Sequence, residues 1–279
     1  MSAEEDELEH LRSHREYFRE VIVRIHKIMA EDFGVRQVSV KPLGSGGARL
    51  SIPTRITGID KDGRNVKFFA KILGSTDIMT ARTIQIAKNL YLEMNAHDPM
   101  FGFASDVGAM AAHQYRTMKA IQALGIPTAM PYGYYQLNEN LWLTIWEYLD
   151  AKPVTDIGSM ALEQMDAVFG YLKKMHQNMI FHGDIKPDNV MVGEKLYILD
   201  VGYYLEEAPA TMKQSYDLAC QIASFLQFQP AADIVGMARR HYSIDEMRSA
   251  SEYLDLIQRR IDIRFDDQTK NDLLRLMKA

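Results

Sequence analysis

The segment from His182 to Asn189 constrains this chain more than any other part of its sequence. It reads His-Gly-Asp-Ile-Lys-Pro-Asp-Asn and follows residues 159 to 178, whose apolar side chains recur with a helical period. A short apolar run then ends at Asp200. The side chains of Asp184, Asn189 and Asp200 offer oxygen donors of the kind that Mg²⁺ prefers. Such a set would meet the needs of phosphoryl transfer, which requires bound metal and a group that orients the acceptor hydroxyl.

The same segment, continued to Val190, resembles the catalytic loop of the protein-kinase superfamily. Leu199-Asp200-Val201-Gly202 resembles the metal-binding Asp-Phe-Gly of that superfamily, with Val in place of Phe. Gly183 stands where most eukaryotic Ser/Thr kinases carry Arg, which is similar to Rio kinases, aminoglycoside phosphotransferases and lipopolysaccharide kinases. Lys186-Pro187 is closer to Ser/Thr protein kinases. The chain therefore resembles an atypical branch of the superfamily.

The resemblance implies roles for five residues in and around this loop. Asp184 would be the catalytic base that orients the acceptor hydroxyl, and Lys186 would neutralise charge on the γ-phosphate of ATP. Asn189 and Asp200 would hold Mg²⁺, with Mn²⁺ as an alternative. Asp217 resembles the helix residue that buttresses the catalytic loop. ATP and Mg²⁺ are thus the expected cofactors.

A glycine-rich segment between two predicted strands is the expected cover of the ATP phosphates. Glycines let backbone amides approach phosphate oxygens closely. Arg49 replaces the third glycine of the superfamily's loop, so the resemblance is incomplete here. The residues assigned to this contact are Gly44, Ser45, Gly46 and Gly47.

Lys71, near the end of the third predicted strand, resembles the lysine that pairs with the α- and β-phosphates. Phe69 stands where kinases usually carry Ala against the adenine. The position of the glutamate that normally pairs with this lysine holds Gln114. Glu93, on the preceding predicted helix, is the alternative partner.

The interlobe hinge completes the expected nucleotide site. Trp146-Glu147-Tyr148-Leu149 resembles this hinge. Backbone groups of Glu147 and Leu149 would bind the adenine edge, and Trp146 would lie at the back of the adenine pocket.

Hydrophobic periodicity divides the chain into a strand-rich first half and a mainly helical second half. Three strands are expected within residues 37 to 73, with a hairpin turn from Asp60 to Gly63. Residues 75 to 126 read as mainly helical, and the helical pattern continues from residue 214 to the end. Two further strands are expected, at residues 132 to 137 and 141 to 147.

This order predicts an α+β, bilobal, protein-kinase-like fold with a strand-rich N-lobe and a mainly helical C-lobe. The expected divisions are an N-terminal helix at residues 1 to 34, the N-lobe at 35 to 149 and the C-lobe at 150 to 279. The region near residues 74 to 112 is longer than the superfamily requires and is expected to be a helical insertion. The expected buried face of the N-terminal helix comprises Leu11, Phe18, Ile22, Ile25 and Met29.

Composition limits the function classes. The chain has 279 residues, a net charge of −5 and one cysteine, Cys220, so no intrachain disulfide can form. Its first residues are acidic and lack the basic-then-apolar order of a signal peptide. No apolar run reaches the length that spans a bilayer. We therefore expect a cytoplasmic protein with no membrane span and no general nucleic-acid binding, since the latter usually needs a basic face.

The acceptor is the least constrained part of the expected function. Lys186-Pro187 favours an atypical Ser/Thr protein kinase that transfers the γ-phosphate of ATP to a protein hydroxyl. The short segment after Gly202, which lacks the Ala-Pro-Glu motif, and the glycine at Gly183 favour a small-molecule or lipid-headgroup kinase. Gln114, Phe69 and the incomplete glycine loop leave a third alternative, an ATP-binding pseudokinase or regulator.

Overall fold

The computed structural model describes residues 19 to 43 and 51 to 279. The first half of this part contains three helices and five strands, and the strands expected from the sequence are all present. In chain order these elements are α1 (residues 19 to 31), β1 (Arg36–Pro42), β2 (Ile52–Ile59), β3 (Asn65–Gly74), α2 (Ser75–Met94), α3 (Val107–Ala123), β4 (Pro131–Gln136) and β5 (Leu141–Glu147).

The five strands form one antiparallel sheet in the order β1-β2-β3-β5-β4, and α1 packs on one of its faces. Ile22, expected on the buried face of α1, is 36% exposed, because the buried stripe runs through Val21 instead. Leu11 and Phe18 lie outside the described residues. The buried side chains that join α1 to the sheet are Val21, Ile25, Ile28, Met29, Ile56, Phe68, Ala70, Leu143 and Ile145.

Side chains alternate between the two faces of β3, and this alternation positions Lys71. Phe68 and Ala70 are buried in the cluster that contains α1. Phe69 points the other way and packs against the core of the helical half. Lys71 therefore lies on the face of the sheet that looks toward the helical half.

The turn between β2 and β3 has the expected hairpin chemistry. Asp60 Oδ1 accepts the backbone N–H groups of Asp62 and Arg64, both at 2.9 Å. Gly63 has a φ of +80°, which glycine adopts without a steric penalty. The predicted turn is confirmed.

The second half is mainly helical and is built around the buried helix α6. Helicity is not continuous from residue 214, because residues 259 to 266 form an irregular segment between the last two helices. No helix in the described part of the chain has the length and apolar content needed to cross a membrane. The elements are β6 (Lys152–Pro153), α4 (Val154–Ile157), α5 (Leu162–Gln177), a 3₁₀ turn (Pro187–Asn189), β7 (Val190–Val192), β8 (Leu196–Ile198), α6 (Ala210–Phe225), α7 (Ala231–Ala238), α8 (Ile244–Ser251), α9 (Leu254–Gln258) and α10 (Asp267–Lys278).

The region near residues 74 to 112 contains α2, a loop at residues 95 to 106 and the start of α3. α2 packs against α3, β3 and α9, so it touches both halves of the fold. The division of the chain at residues 34 and 149 stays a prediction.

Candidate active site

The predicted catalytic loop is held by Asp217, which is fully buried on α6. Its carboxylate accepts the backbone N–H groups of His182 at 2.7 Å and Gly183 at 2.9 Å. Tyr204 donates its hydroxyl to Oδ1 at 2.8 Å, and His176 Nε2 donates to Oδ2 at 3.4 Å. A buried carboxylate is tolerated only when such donors satisfy it. Asp217 therefore fixes the loop against α6, as the resemblance implies.

Gly183 and Gly202 pack backbone against backbone and bring the two ends of the site together. Gly183 has a φ of +76°, and a Cβ there would lie 3.2 Å from the backbone of Gly202. A Cβ on Gly202 would lie 2.5 Å from the carbonyl oxygen of Gly183. The Gly202 amide donates to the carbonyl oxygen of His182 at 2.7 Å. This close approach gives a physical reason for glycine at both positions.

The carboxylate of Asp184 meets three donor side chains. Lys186 Nζ lies 2.9 Å from Oδ2, and Asn189 Nδ2 donates to Oδ2 at 3.2 Å and to the backbone carbonyl at 2.8 Å. Arg260 Nη2 lies 3.2 Å from Oδ1, and the Arg260 side chain is only 7% exposed. Lys186, Asn189 and Arg260 thus all contact the carboxylate of Asp184.

The surrounding charges keep the carboxylates of the site ionised. Burial alone would raise the pKa of Asp184, but Lys186 and Arg260 hold that pKa below its usual range. Burial likewise opposes ionisation of Asp200, and Lys71 outweighs it and lowers the pKa of Asp200. A base must be ionised to accept a proton, so Asp184 is in the required form at neutral pH.

Lys71 forms an ion pair with Asp200 that joins the sheet to the helical half. The expectation that Lys71 pairs with Gln114 or Glu93 is therefore wrong. Neither residue forms a hydrogen bond or ion pair with Lys71 in the described part of the chain. Gln114 Oε1 is buried without a hydrogen-bond partner, and Glu93 is exposed on α2. Asp200 has a left-handed φ of +56°, and its carboxylate is the anion that meets the lysine.

The side chains expected to hold Mg²⁺ have oxygens available for it. Asn189 uses its amide nitrogen on Asp184, and its Oδ1 has no hydrogen-bond partner among the described residues. Asp200 pairs with Lys71 through Oδ1, and its Oδ2 has no such partner in the same part of the chain. Mg²⁺ prefers few protein oxygens together with phosphate oxygens and water. An amide oxygen and a carboxylate oxygen fit this requirement.

The expected hinge offers one free backbone position. The Glu147 amide donates to the carbonyl oxygen of Met130 at 2.9 Å, so a contact of Glu147 with adenine would use its carbonyl. The backbone of Leu149 makes no hydrogen bond within residues 19 to 43 and 51 to 279. Trp146 is buried and donates its indole N–H to Thr144 Oγ1 at 2.9 Å. Gly44, Ser45, Gly46 and Gly47 lie outside the described residues, and their binding role stays a prediction.

The segment after Asp200 is covered by the loop between α2 and α3. Backbone hydrogen bonds of 3.0 and 2.9 Å join residues 100 to 102 to residues 203 to 205. The side chain of Asn89 on α2 fixes this loop, because it accepts the N–H groups of residues 100 and 101 at 3.1 and 2.9 Å. His113 Nε2 on α3 donates to the carbonyl oxygen of Gly202 at 2.8 Å. The loop within the predicted insertion is thus hydrogen-bonded to the segment that follows Asp200.

Arg260 is the residue that sequence reasoning missed. It lies 76 positions from Asp184, in a segment predicted to be helical, and no motif marks it. The only signal is the alternation Arg260-Ile261-Asp262. In the structure, the guanidinium donates to both carboxylate oxygens of Asp262, at 2.8 and 2.7 Å.

Comparisons with known proteins bear on the fold. No protein-family model and no curated protein sequence matches the chain. A solved structure described as a "Putative fructosamine-3-kinase" from Haemophilus somnus 129PT is similar, with a TM-score of 0.51 and 11% sequence identity over 94% of this chain and 99% of that chain. Rad53 1-466 in complex with AMP-PNP is 12% identical, with a TM-score of 0.41 over 86% of this chain and 60% of that chain. The first likeness shows that the chain has a bilobal, α+β, protein-kinase-like fold with a strand-rich N-lobe and a mainly helical C-lobe.

Proposed function

We propose that this protein is an ATP- and Mg²⁺-dependent phosphotransferase that transfers the γ-phosphate to a hydroxyl acceptor. One observation carries the proposal: Asp184 lies 2.9 Å from Lys186 and 3.2 Å from Arg260 and accepts a hydrogen bond from Asn189. Asn189 Oδ1 and Asp200 Oδ2 have no hydrogen-bond partner among the described residues and are available to Mg²⁺. These groups match the needs of phosphoryl transfer, which depends on positioning and charge stabilisation.

The reaction forms one bond and breaks one bond at the γ-phosphorus. The acceptor hydroxyl oxygen bonds to that phosphorus, and the bond from phosphorus to the β–γ bridging oxygen breaks, so ADP leaves with the electron pair. The hydroxyl proton passes to the carboxylate of Asp184, whose pKa is held below its usual range by Lys186 and Arg260 despite its burial. Lys186 neutralises charge on the transferred group. Mg²⁺, when bound, supplies further positive charge at the phosphates.

The geometry favours a small-molecule acceptor over the protein acceptor expected from Lys186-Pro187. Residues 203 to 209 separate Gly202 from α6, and residues 203 to 205 are already hydrogen-bonded to the loop before α3. A peptide commonly binds by adding to an exposed strand edge. Residues 203 to 205 are already paired with residues 100 to 102 and do not offer that side as a free edge. A protein acceptor is the second candidate, because Lys186-Pro187 resembles Ser/Thr protein kinases and Lys186 lies 2.9 Å from Asp184, where it could reach the transferred phosphate.

Labelled ATP with Mg²⁺ tests the function and the acceptor class together. Purified protein is incubated with γ-³²P-ATP and either a panel of small hydroxy compounds or casein, and ADP is measured in parallel. We expect labelled small molecules, formed in step with ADP, and no product from Asp200→Asn. Asp233→Asn, an exposed carboxylate on α7, is the matched control and should transfer normally. Labelled protein alone would favour the second candidate, and nucleotide binding without any transfer would contradict the proposal.

A further inference from the structure

Lys88 on α2 is half-buried, and the proposed reaction does not use its ammonium group. Its Nζ lies 4.7 Å from the ring centroid of Phe101 and 5.8 Å from that of Tyr216. Within residues 19 to 43 and 51 to 279, Lys88 forms no ion pair and donates no hydrogen bond. Burial lowers the pKa of Lys88, which means that it disfavours the charged form of the ammonium group. A bound anion would stabilise that charged form.

The carboxylates that act electrostatically on Lys88 already have other cationic partners. These carboxylates belong to Asp184 and Asp262. Asp184 pairs with Lys186 at 2.9 Å and Arg260 at 3.2 Å, and Asp262 pairs with Arg260 at 2.7 Å. Lys88 therefore acts electrostatically on the expected catalytic base without being its ion-pair partner.

Tyr216 and Arg260 connect Lys88 to Asp184 in space. Lys88 lies against the ring of Tyr216, and Arg260 Nη1 donates to the Tyr216 hydroxyl at 3.2 Å. The other terminal nitrogen of Arg260 lies 3.2 Å from Asp184 Oδ1. The packing of α2 on α9 holds Lys88 on this side of the site. Consecutive contacts through Tyr216 and Arg260 thus link the ammonium group of Lys88 to the carboxylate of Asp184.

We propose that Lys88, backed by Arg260, forms an anion-binding subsite for the acceptor, so that the acceptor carries a phosphate or carboxylate group as well as its hydroxyl. This inference rests on the proposed function and names its substrate class. The hydroxyl oxygen bonds to the γ-phosphorus as the bond from that phosphorus to the β–γ bridging oxygen breaks and ADP leaves. The hydroxyl proton passes to Asp184, while the anionic group of the acceptor is unchanged and stays at Lys88. The fully buried rings of Phe101 and Tyr216 hold the ammonium group of Lys88 in place.

Inorganic phosphate is a direct probe of this subsite. Phosphate is titrated by calorimetry into the full chain saturated with AMP-PNP and Mg²⁺, so that the nucleotide phosphate positions are occupied. Lys88→Met keeps the apolar stem against the rings and should weaken phosphate binding by about tenfold or more, the size of one hydrogen bond to a charged group. Lys88→Arg restores the charge and should bind phosphate, and thermal unfolding verifies that both variants fold.

Lys119→Met is the matched control. Lys119 also places its ammonium over an aromatic ring, at 5.5 Å from the centroid of Tyr115, but it is exposed on α3. This variant should bind phosphate like the unmodified protein. Equal weakening in Lys119→Met and Lys88→Met would overturn the subsite.

Acceptor turnover distinguishes the sources of the anion. ADP release is compared for glycerol, glycerol 3-phosphate and glycerate, and for phosphatidylcholine vesicles with and without phosphatidylglycerol. We expect the anionic acceptors to exceed glycerol and to lose that advantage in Lys88→Met. An advantage confined to the phosphatidylglycerol vesicles would assign the subsite to a lipid headgroup, and an advantage of the soluble compounds would assign it to a free metabolite.

Phosphate binding tests the subsite, whereas AMP-PNP binding and ADP release test the proposed function. Equal phosphate binding by the unmodified protein and Lys88→Met, or none by the nucleotide-loaded protein, would overturn the subsite alone. No AMP-PNP binding, or no ADP release with any acceptor, would overturn the proposed function and the subsite with it.

Discussion

Arg260 Nη2 lies 3.2 Å from Asp184 Oδ1, although 76 positions separate the two residues in the chain. Arg260 is itself anchored, because Asp262 accepts two of its N–H groups and Tyr216 a third. A guanidinium held in this way has a fixed orientation. Arg260 is thus a positioning residue for the carboxylate of Asp184, supplied by the irregular segment after α9.

Arg260→Gln tests this positioning role through the pH profile. The charge of Arg260 helps to hold the pKa of Asp184 below its usual range, so its removal raises that pKa. The acid limb of kcat should therefore move to higher pH. At neutral pH we expect a loss of roughly tenfold to a hundredfold, since a hydrogen bond to a charged group contributes about 1.5–3 kcal/mol.

Arg275→Gln is the control for Arg260. The Arg275 side chain is 76% exposed and pairs with Asp272 at 3.1 Å, so its loss should change neither kcat nor the profile. A slower Arg260→Gln enzyme whose acid limb stays in place would show that Arg260 supports only the fold.

Gly202→Ala tests the backbone packing of the two glycines. The added Cβ would lie 2.5 Å from the carbonyl oxygen of Gly183, so one backbone segment must shift. We expect destabilisation of about 1–3 kcal/mol, as for other overpacked sites, and a loss of transfer. Urea unfolding measures the first effect and labelled ATP the second. Gly236→Ala, in α7 with no atom near its added Cβ, should be neutral or slightly stabilising.

Asp217→Asn tests the support of the catalytic loop. In this variant, the NH₂ group of the Asn amide would face N–H or O–H donors that the carboxylate of Asp217 now accepts. Each buried group left without a partner lowers the free energy of unfolding by about 1–3 kcal/mol. Urea unfolding at neutral pH should show this loss, and the exposed control Asp233→Asn should not. Unchanged stability of Asp217→Asn would contradict the account of the loop.

Acid should remove the contribution of Asp217. Burial would raise the pKa of Asp217, but the hydrogen bond from His176 leads the interactions that hold it below the usual range. The folded pKa is then lower than the unfolded value of about 3.9, so the stabilisation is present above that value and is lost as pH falls through the folded pKa. The stability difference between the unmodified protein and Asp217→Asn should shrink on acidification.

The parts of the site that could be predicted from the sequence are those fixed by short-range order. One loop between a helix and a hairpin brings Asp184, Lys186 and Asn189 into contact. The residue types in this loop indicate the expected chemistry. The hairpins likewise follow from local turn residues. Asp200 follows a short apolar strand, and the amide of the preceding Leu199 donates to the carbonyl oxygen of Asn189 at 2.8 Å.

The parts that could not be predicted depend on tertiary packing. Arg260 reaches Asp184 only because the chain breaks after α9, and the apolar pattern there favoured a helix. The sequence predicts a partner for Lys71 on α2 or α3, whereas the partner is the carboxylate of Asp200, a residue with a left-handed backbone conformation. On α1, a helical period alone did not distinguish Val21 from Ile22. The cytoplasmic location stays a prediction.

Single-turnover transfer by Asp184→Asn tests the central claim most directly. The rate of γ-phosphate transfer and the affinity for AMP-PNP with Mg²⁺ are measured for this variant and for the unmodified protein. Loss of a positioned base should lower the rate by roughly 10²–10⁴-fold, while nucleotide binding persists. Transfer by Asp184→Asn at the rate of the unmodified protein would contradict the assignment of this site as a phosphotransferase centre.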